Sequence, residues 1–275
     1  MREIIYEIVR NNKYFYVIRD GIKECFYLYP KHRELIQKLL RKGMVMDFEV
    51  SEPELKNDLI FRPVKSISRI FDGKNNRILF DISDIRKGII DILSSDKYYL
   101  FTDFEMTMPI YKGPFNAEII EAGLILSKPK GEIILSERIY IYPKSIKALN
   151  RRTMKFLDLD VDLYSEHAVN FDDFYNRISE IIELYHPSFV VWGDFDYTTL
   201  LRSLQTNKKD IIIKKEDFIN LLKIYKNFFS LASDVGLFKA YELISNETLE
   251  EQKHDALDDA FTTKKIFDKI VNYKF

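Results

Sequence analysis

The residues best suited to chemistry in this chain are two carboxylates in one short segment. Asp103-Phe104-Glu105 follows the apolar run at residues 98–101. Residues two apart on a strand point to the same face, so both carboxylates would lie side by side at the end of a buried strand. Hard oxygen ligands in this arrangement suit Mg²⁺ or Mn²⁺. The segment predicts a divalent-metal site, and the alternative reading is a solvated strand end.

A second acidic segment stands between a strand and a helix. Asp194-Phe195-Asp196 follows Gly193 and the apolar strand predicted at residues 188–192. Instead of binding a metal ion, Asp196 could cap the helix and Asp194 could be a turn residue. By itself the segment does not show whether these acids bind metal or have only these local roles.

A third segment opens the helix predicted at the end of the chain. It runs His254-Asp255-Ala256-Leu257-Asp258-Asp259, with His254 and Asp259 five residues apart. A single histidine is more often structural than catalytic, so this segment too depends on the other two for its interpretation.

Taken in order, the three segments resemble the DEDDh family of 3′–5′ exonucleases. The shared pattern is D-x-E, then Phe-Asp after a strand, then H-x-x-x-x-D on a final helix, and it covers residues 97–271. Residues 103–109, 116–123 and 192–196 are most similar to the branch of the sporulation-inhibitor and ERI-type exonucleases. The resemblance implies an RNase H-like fold and phosphodiester hydrolysis at a 3′ end.

The resemblance also assigns roles to individual residues. It implies that two divalent ions, Mg or Mn, are held by four carboxylates: Asp103, which would bridge the ions, Glu105, Asp196 and Asp259. Two such ions can activate a water and stabilise the leaving oxygen. His254 would be the general base, because histidine exchanges protons near neutral pH. Three neighbours of the acids are predicted to contact the terminal nucleotide: Met106, Thr107 and Phe195.

Other acids near the motifs receive no catalytic role. Asp194, Asp255 and Asp258 are interpreted as polar neighbours of the motif residues. Glu118 and Glu121 lie in a predicted strand and are interpreted as structural.

Charge divides the 275-residue chain into two regions. The total is 42 Lys+Arg against 43 Asp+Glu, a formal charge of −1, which taken alone argues against a protein coated for nucleic acid. Residues 1–95, however, carry 18 basic and 14 acidic residues (+4), which leaves 24 and 29 (−5) for residues 96–275. We therefore predict an accessory domain over 1–95 and an exonuclease domain over 96–275.

The two regions also differ in their predicted elements. Residues 1–95 contain short β-rich runs around a helix at residues 32–41, which suggests a small barrel of the OB type. Aromatic residues alternate there with lysines and arginines, a composition that suits single-stranded nucleic acid or a half-buried strand face. Residues 96–275 alternate strands and helices. The predicted class is α/β: an RNase H-like mixed sheet flanked by helices, with a small β-rich N-terminal domain.

Several functions are excluded by what the sequence contains. Cys25 is the only cysteine, so an intrachain disulfide is impossible and a cysteine zinc site is not expected. No signal-like or membrane-spanning apolar stretch is seen, so we expect a cytoplasmic protein with no membrane partner. The expected partner is the 3′ end of single-stranded nucleic acid, with RNA slightly favoured over DNA. The alternative is a nucleic-acid-binding or regulatory protein that retains the exonuclease fold.

Overall fold

The structure is a computed structural model that describes residues 1–9, 11–36, 38–109, 115–129, 131–144, 148–158, 160–248 and 254–275. It contains two compact units. The first comprises Met1–Asp91, Ile224–Asp234 and Phe275, and the second comprises Ile92–Lys223 and Val235–Lys274. The functional division into an accessory domain over 1–95 and an exonuclease domain over 96–275 stays a prediction.

The first unit is built on one β-sheet that closes on itself. Its elements are β1 (Arg2–Ile4), β2 (Glu7–Val9), β3 (Tyr14–Arg19), β4 (Ile22–Tyr27), α1 (Pro30–Ile36), β5 (Val45–Val50), β6 (Glu54–Lys56), β7 (Leu59–Phe71), β8 (Ile78–Asp81) and α2 (Ile82–Leu93). The strand order is β1-β5-β7-β4-β3-β2, with β6 and β8 both pairing with β7. β1 and β2 are consecutive pieces of one N-terminal strand. This strand therefore pairs with β5 at one end of the order and with β3 at the other end, which closes the sheet.

This order is the connectivity of a five-stranded OB barrel. The split first strand pairs with β3 and β5, the helix α1 stands between the third and fourth barrel strands, and β4 runs parallel to β7. Strand alternation supplies the interior: Phe15 and Val17 point inward while Tyr14 and Tyr16 point outward. The ring centroids of Phe15 and Phe26 lie 5.1 Å apart, and Phe48 meets both edge-on. The β-rich N-terminal region is therefore confirmed.

A segment from late in the chain completes the first unit. Residues Ile224–Asp234 belong to it, and their backbone carbonyls accept hydrogen bonds from the barrel side. His32 Nε2 lies 2.9 Å from the Ser230 carbonyl oxygen, and Arg86 Nε donates to the Phe228 carbonyl oxygen at 2.9 Å. Phe228 is fully buried. Truncation at residue 95 would therefore leave this segment without its partners.

The second unit holds a five-stranded mixed sheet with helices. Its elements are β9 (Tyr99–Met106), β10 (Ile119–Ser127), β11 (Ile133–Tyr140), α3 (Arg151–Phe156), α4 (Val161–His167), α5 (Phe171–Tyr185), β12 (Ser188–Val191), α6 (Phe195–Thr206), β13 (Phe218–Asn220), the first residues of α7 (Leu221–Phe228), α8 (Leu237–Ser245) and α9 (Ala256–Val271). From Ile224 onward α7 belongs to the first unit. The strand order is β11-β10-β9-β12-β13. β9, β10 and β11 are antiparallel, whereas β12 is parallel to β9 and β13. The predicted mixed α/β sheet is confirmed.

The helix predicted at residues 32–41 has other bounds in the structure, where α1 spans Pro30–Ile36. In the second unit α7 begins at Leu221, because the residues before it form β13 and extend the sheet. Gly236 occupies the N-cap position of α8, and Asp234 pairs with Lys226 at 2.5 Å. Among the described residues, no helix combines the length and the apolarity needed to cross a membrane.

Candidate active site

The centre of the candidate site is a group of three carboxylates on two elements. Asp103 and Glu105 stand near the end of β9, and Asp259 stands in the first turn of α9. One carboxylate oxygen from each lies within 4.8 Å of the others. The structure thus brings together side chains that are more than 150 residues apart in the sequence.

Aromatic packing between β9 and α9 positions these acids. The ring of Phe267 on α9 lies 4.8 Å from the ring of Tyr99 and 5.2 Å from that of Phe101. Tyr99, Phe101, Asp103 and Glu105 share one face of β9 because strand side chains alternate. Helix α9 therefore covers this face, and Asp259, about two turns before Phe267, meets the acids at its far end.

Asp196 brings a fourth carboxylate to the group. It lies in the first turn of α6, is 6% exposed and accepts a backbone hydrogen bond from Phe104, the residue between Asp103 and Glu105. Asp194 occupies the N-cap position of α6 without capping it through its side chain, and it pairs with Lys223 at 2.5 Å. Of the two acids in this segment, Asp196 faces the group and Asp194 faces a lysine.

Burial and mutual repulsion favour the protonated forms of these acids. The pKa of Asp103 is raised well above its ordinary value, first by burial and then by the charges of Asp196 and Asp259. Burial, together with the charge of Asp259, raises the pKa of Glu105 to about 8. Burial also raises the pKa of Asp259 to about 7, with Asp255 and Asp258 adding to the shift. The site therefore favours any cation that can replace these protons.

His254 lies immediately before the N-cap of α9 and is held by an aromatic contact. Its ring stacks on the ring of Phe156 in α3, with centroids 4.2 Å apart and planes 23° apart. Phe156 is 46% exposed, so the stack borders solvent. The histidine is thereby placed at the same end of α9 as Asp259.

A second group of charges next to the acids was not expected from the sequence. Glu121 on β10 lies opposite Glu105 in the sheet, is 4% exposed and accepts a backbone hydrogen bond from Ala256 at the start of α9. Arg138 on β11 lies with its Nε 3.3 Å from Glu121 Oε1 and also bonds Asp255, the N-cap of α9. The signal available in the sequence was a lone acid, Glu121, inside an otherwise apolar strand.

The three residues predicted to contact substrate differ in their surroundings. Phe195 is 61% exposed on the first turn of α6, directly before Asp196. Met106 is half-buried at the end of β9. Thr107 is 3% exposed, its backbone N–H donates to Glu118 and its hydroxyl accepts from the Glu118 N–H. Of the three, Thr107 has its polar groups engaged inside the protein.

The donor set fits a divalent cation. Asp259 Oδ1 is buried and has no hydrogen-bond partner among the residues that the structure describes. An unpaired buried carboxylate oxygen is costly, and three converging carboxylates concentrate that cost at one point. Oxygen-only donors of this kind suit Mg²⁺ or Mn²⁺.

The fold and this group of acids define the class of the protein. A mixed sheet with three antiparallel strands followed by two parallel ones, carrying carboxylates at the end of its central strand, is the arrangement of a DEDDh 3′–5′ exonuclease. The chain belongs to the exonuclease family RNase_T, whose family model matches residues 100–267. It is therefore a 3′–5′ exonuclease acting on nucleic acid, from a family that depends on divalent metal.

Individual relatives support the same assignment. The probable 3′-5′ exonuclease KapD of Bacillus subtilis (strain 168) is 33% identical over 171 residues, which are 61% of this chain and 82% of KapD. The nuclease domain of 3′hExo, a DEDDh family member solved with rAMP, superposes with a TM-score of 0.55 at 22% identity, covering 63% of this chain and 90% of that one.

A more distant neighbour shares the fold alone. Exonuclease I of E. coli, solved with a dT13 oligonucleotide, has a TM-score of 0.51 at 15% identity, over 64% of this chain and 41% of that one. The first of these relatives supports the family by sequence, and the two solved structures support the fold.

Proposed function

We propose that this exonuclease removes nucleotides from the 3′ end of single-stranded nucleic acid with two divalent ions, and that it prefers RNA slightly over DNA. The observation that carries the proposal is the convergence of Asp103, Glu105 and Asp259 within 4.8 Å, with a buried oxygen of Asp259 unpaired. The preference for RNA is supported by the rAMP held by 3′hExo, and the dT13 held by Exonuclease I makes DNA the alternative to test.

The acidic residues divide the work of holding metal. Asp103, Glu105, Asp196 and Asp259 would hold the two ions, Mg²⁺ or Mn²⁺, in their deprotonated forms. When bound, such ions supply a water activated near neutral pH and positive charge for the leaving oxygen. The raised pKa values of the acids mean that loading the site displaces protons.

The remaining residues act on water and on the terminal nucleotide. His254 would accept the proton of the attacking water, and its stack on Phe156 limits the directions in which its ring can turn. Phe195 offers an exposed ring directly beside Asp196, on which the terminal base can stack. Met106 would add apolar contact. The N–H and hydroxyl of Thr107 are already bonded to Glu118, so Thr107 would contribute by its place next to the site and not by donating hydrogen bonds to the substrate.

The test is shortening of 5′-labelled oligonucleotides by the full chain in Mg²⁺, Mn²⁺ or EDTA. We expect ladders that shorten from the 3′ end with either metal and no cleavage in EDTA. Matched RNA and DNA strands, single and double, measure the preference. Binding without shortening in both metals would favour the alternative, a nucleic-acid-binding protein that retains the fold.

Adjacent acids provide matched variants for the site itself. Asp259→Asn should abolish shortening, whereas Asp258→Asn, which changes the exposed neighbouring acid, should leave it within about twofold. Asp196→Asn and Asp194→Asn form the same comparison at α6. Asp103→Ala or Asp103→Asn should also abolish activity while the fold is kept, as circular dichroism would show. Full activity of purified Asp103→Asn or Asp259→Asn would refute the assignment of the metal residues.

A further inference from the structure

The outer surface of the barrel in the first unit carries a cluster of aromatic side chains. We call Tyr14, Tyr16, Tyr27 and Phe61 the aromatic face. The rings of Tyr14, Tyr27 and Phe61 lie 5.5 to 5.7 Å from one another, and Tyr16 belongs to the same apolar cluster. Tyr16 and Tyr27 are half-buried, so each ring keeps part of its surface open.

Lysine side chains stand over these rings. Lys13 Nζ lies 5.6 Å from the centre of the Tyr14 ring and 5.8 Å from that of Tyr27. Lys23 Nζ lies 4.2 Å from the Tyr16 ring and 5.8 Å from the ring of Tyr6, which is itself 42% exposed. An ammonium group beside an open ring is the pairing that contacts a phosphate and a base at once.

A groove borders the aromatic face. Its volume is about 350 Å³, and it lies between β3–β4 and the β6–β7 hairpin. The hairpin contributes Pro53, Leu59 and Ile60, of which Ile60 is 66% exposed. In OB barrels, oligonucleotides bind on the face of the second and third β-strands and at the loop between the fourth and fifth β-strands. Both features form walls of this groove.

The charged side chains of the groove are mostly cationic. Arg19, Lys23 and Arg62 line it, against the single acid Glu24. Arg19 pairs with Glu3 at 2.5 Å, and Lys23 pairs with Glu7 at 2.5 Å. Of these, Lys23–Glu7 joins two exposed side chains, and such pairs contribute little to stability, so a phosphate can take the place of Glu7 without disturbing the fold.

We propose that the aromatic face and its groove bind single-stranded nucleic acid as a site separate from the nuclease site. Bases would stack on Tyr16 and Tyr27, and phosphates would contact Lys13 and Lys23. Stacking on tyrosine tolerates every base, so the site would show little sequence preference. The acids of the metal site take no part, and binding at this groove requires no hydrolysis.

The experiment measures binding and chemistry on the same full-length proteins. Fluorescence anisotropy in EDTA gives the affinity for labelled single strands of about 12 nucleotides, RNA and DNA. Hydrolysis of the p-nitrophenyl ester of thymidine 5′-monophosphate in Mn²⁺ reports the nuclease site through a single nucleotide. Variants are Tyr16→Leu, which keeps apolar bulk, and Lys23→Glu, which changes an exposed side chain. Lys74→Glu, on an exposed turn of the same unit, is the charge-matched control.

The proposal predicts loss of binding with unchanged chemistry. Tyr16→Leu and Lys23→Glu should each weaken strand binding by about 10-fold, while ester hydrolysis and the melting temperature stay as in the wild type. Lys23→Ala should also lower the dependence of log Kd on log salt by about 0.7, the value for one phosphate contact on a single strand. Lys74→Glu should weaken binding by less than about twofold.

The opposite results overturn the proposal. If Tyr16→Leu and Lys23→Glu both bind labelled RNA and DNA single strands with wild-type affinity, the groove does not bind single-stranded nucleic acid. Equal losses in Lys23→Glu and Lys74→Glu would show that only overall charge matters. Failure of ester hydrolysis in the wild type would refute the proposed nuclease chemistry and leave the groove result intact.

Discussion

The guanidinium of Arg138 bonds the carboxylate of Asp255, the residue that caps the helix on which Asp259 stands. The other oxygen of Asp255 accepts the backbone N–H of Asp258 at 3.0 Å. Arg138 also lies 3.3 Å from buried Glu121, which holds the N–H of Ala256. One arginine on β11 thus ties the first turn of α9 to the sheet that carries the other acids.

We therefore expect Arg138→Met to weaken both metal binding and turnover. Groups that orient metal ligands typically contribute about 10- to 100-fold to affinity or activity. The measurements are the Mn²⁺ concentration at half-maximal rate and kcat at saturating metal. Removal of Arg138 also leaves the charges of Glu121 and Asp255 unbalanced, so the free energy of unfolding should fall by about 1–3 kcal/mol.

Arg177→Met is the matched control for this prediction. Arg177 is as exposed as Arg138, and its ion-pair partners among the described residues, Glu137 on β11 and Glu180 on α5, both lie outside α9. Arg177→Met should leave the Mn²⁺ requirement unchanged. Arg138→Lys should retain part of the Mn²⁺ affinity that Arg138→Met loses. An identical metal requirement for wild type and Arg138→Met would contradict a positioning role for this arginine.

A second prediction concerns the close approach of Gly123 to α9. A β-carbon on Gly123 would lie 2.1 Å from the carbonyl oxygen of Ala256, which is backbone and can move only with the helix. Gly123 also lies opposite Asp103 in the sheet. Gly123→Ala should push the first turn of α9 away from β9, lower kcat by about 100-fold and destabilise the fold by about 1–3 kcal/mol.

Gly88→Ala provides the comparison for a glycine without such contact. Gly88 lies in α2, and an added β-carbon there meets nothing within 4 Å. This change should stabilise the protein by about 0.4–1 kcal/mol and leave kcat unaltered. Equal activities of Gly123→Ala and Gly88→Ala would show that α9 can shift without harm to the site.

The pH dependence of stability follows from the buried acids. Without metal, Glu105 has a pKa raised to about 8 and Asp259 one raised to about 7, against about 4 in the unfolded chain. Between about pH 4 and pH 8 the folded state therefore binds more protons than the unfolded state. The contribution of the protonated acids to the free energy of unfolding is present at acid pH and is lost as the pH rises toward 8. Mn²⁺ competes with protons for the same oxygens.

Melting temperatures in EDTA and in Mn²⁺ test this argument. The increase caused by Mn²⁺ should be larger at about pH 8.5 than at about pH 5.5, because fewer protons must be displaced. Asp103→Asn should melt higher than the wild type in EDTA at about pH 8.5, since one buried repelling charge is gone. A larger Mn²⁺ effect at the acidic pH would rule out these carboxylates as the metal ligands.

The stack of Phe156 on His254 leads to a fourth prediction. Phe156→Ala removes the surface that limits the ring of His254, and we expect kcat at saturating metal to fall by about 10-fold. Because Phe156 is 46% exposed, the melting temperature should change little. Phe156→Tyr should keep the stack and the activity.

A double-mutant cycle distinguishes positioning of His254 from other roles of Phe156. In the His254→Asn background, Phe156→Ala should have almost no additional effect on kcat. A full further loss in that background would show that Phe156 acts independently of the histidine.

Local sequence pattern determined the parts of this protein that depend on near neighbours. The two-residue step from Asp103 to Glu105 fixes a shared strand face, and His254 and Asp259 lie at one end of a predicted helix. Spacing alone left each segment open, and the resemblance to the DEDDh exonucleases selects these residues as the site. The mixed sheet and the β-rich barrel followed from periodicity.

Tertiary structure alone decided which distant residues meet. Nothing near Arg138 in the sequence shows that it bridges Glu121 and Asp255, because that contact depends on the register of β10 with β11 and on the position of α9. The same holds for the segment Ile224–Asp234, which lies in the second half of the chain yet completes the first unit. Such contacts arise from packing between elements far apart in the chain, and residue spacing carries no record of them.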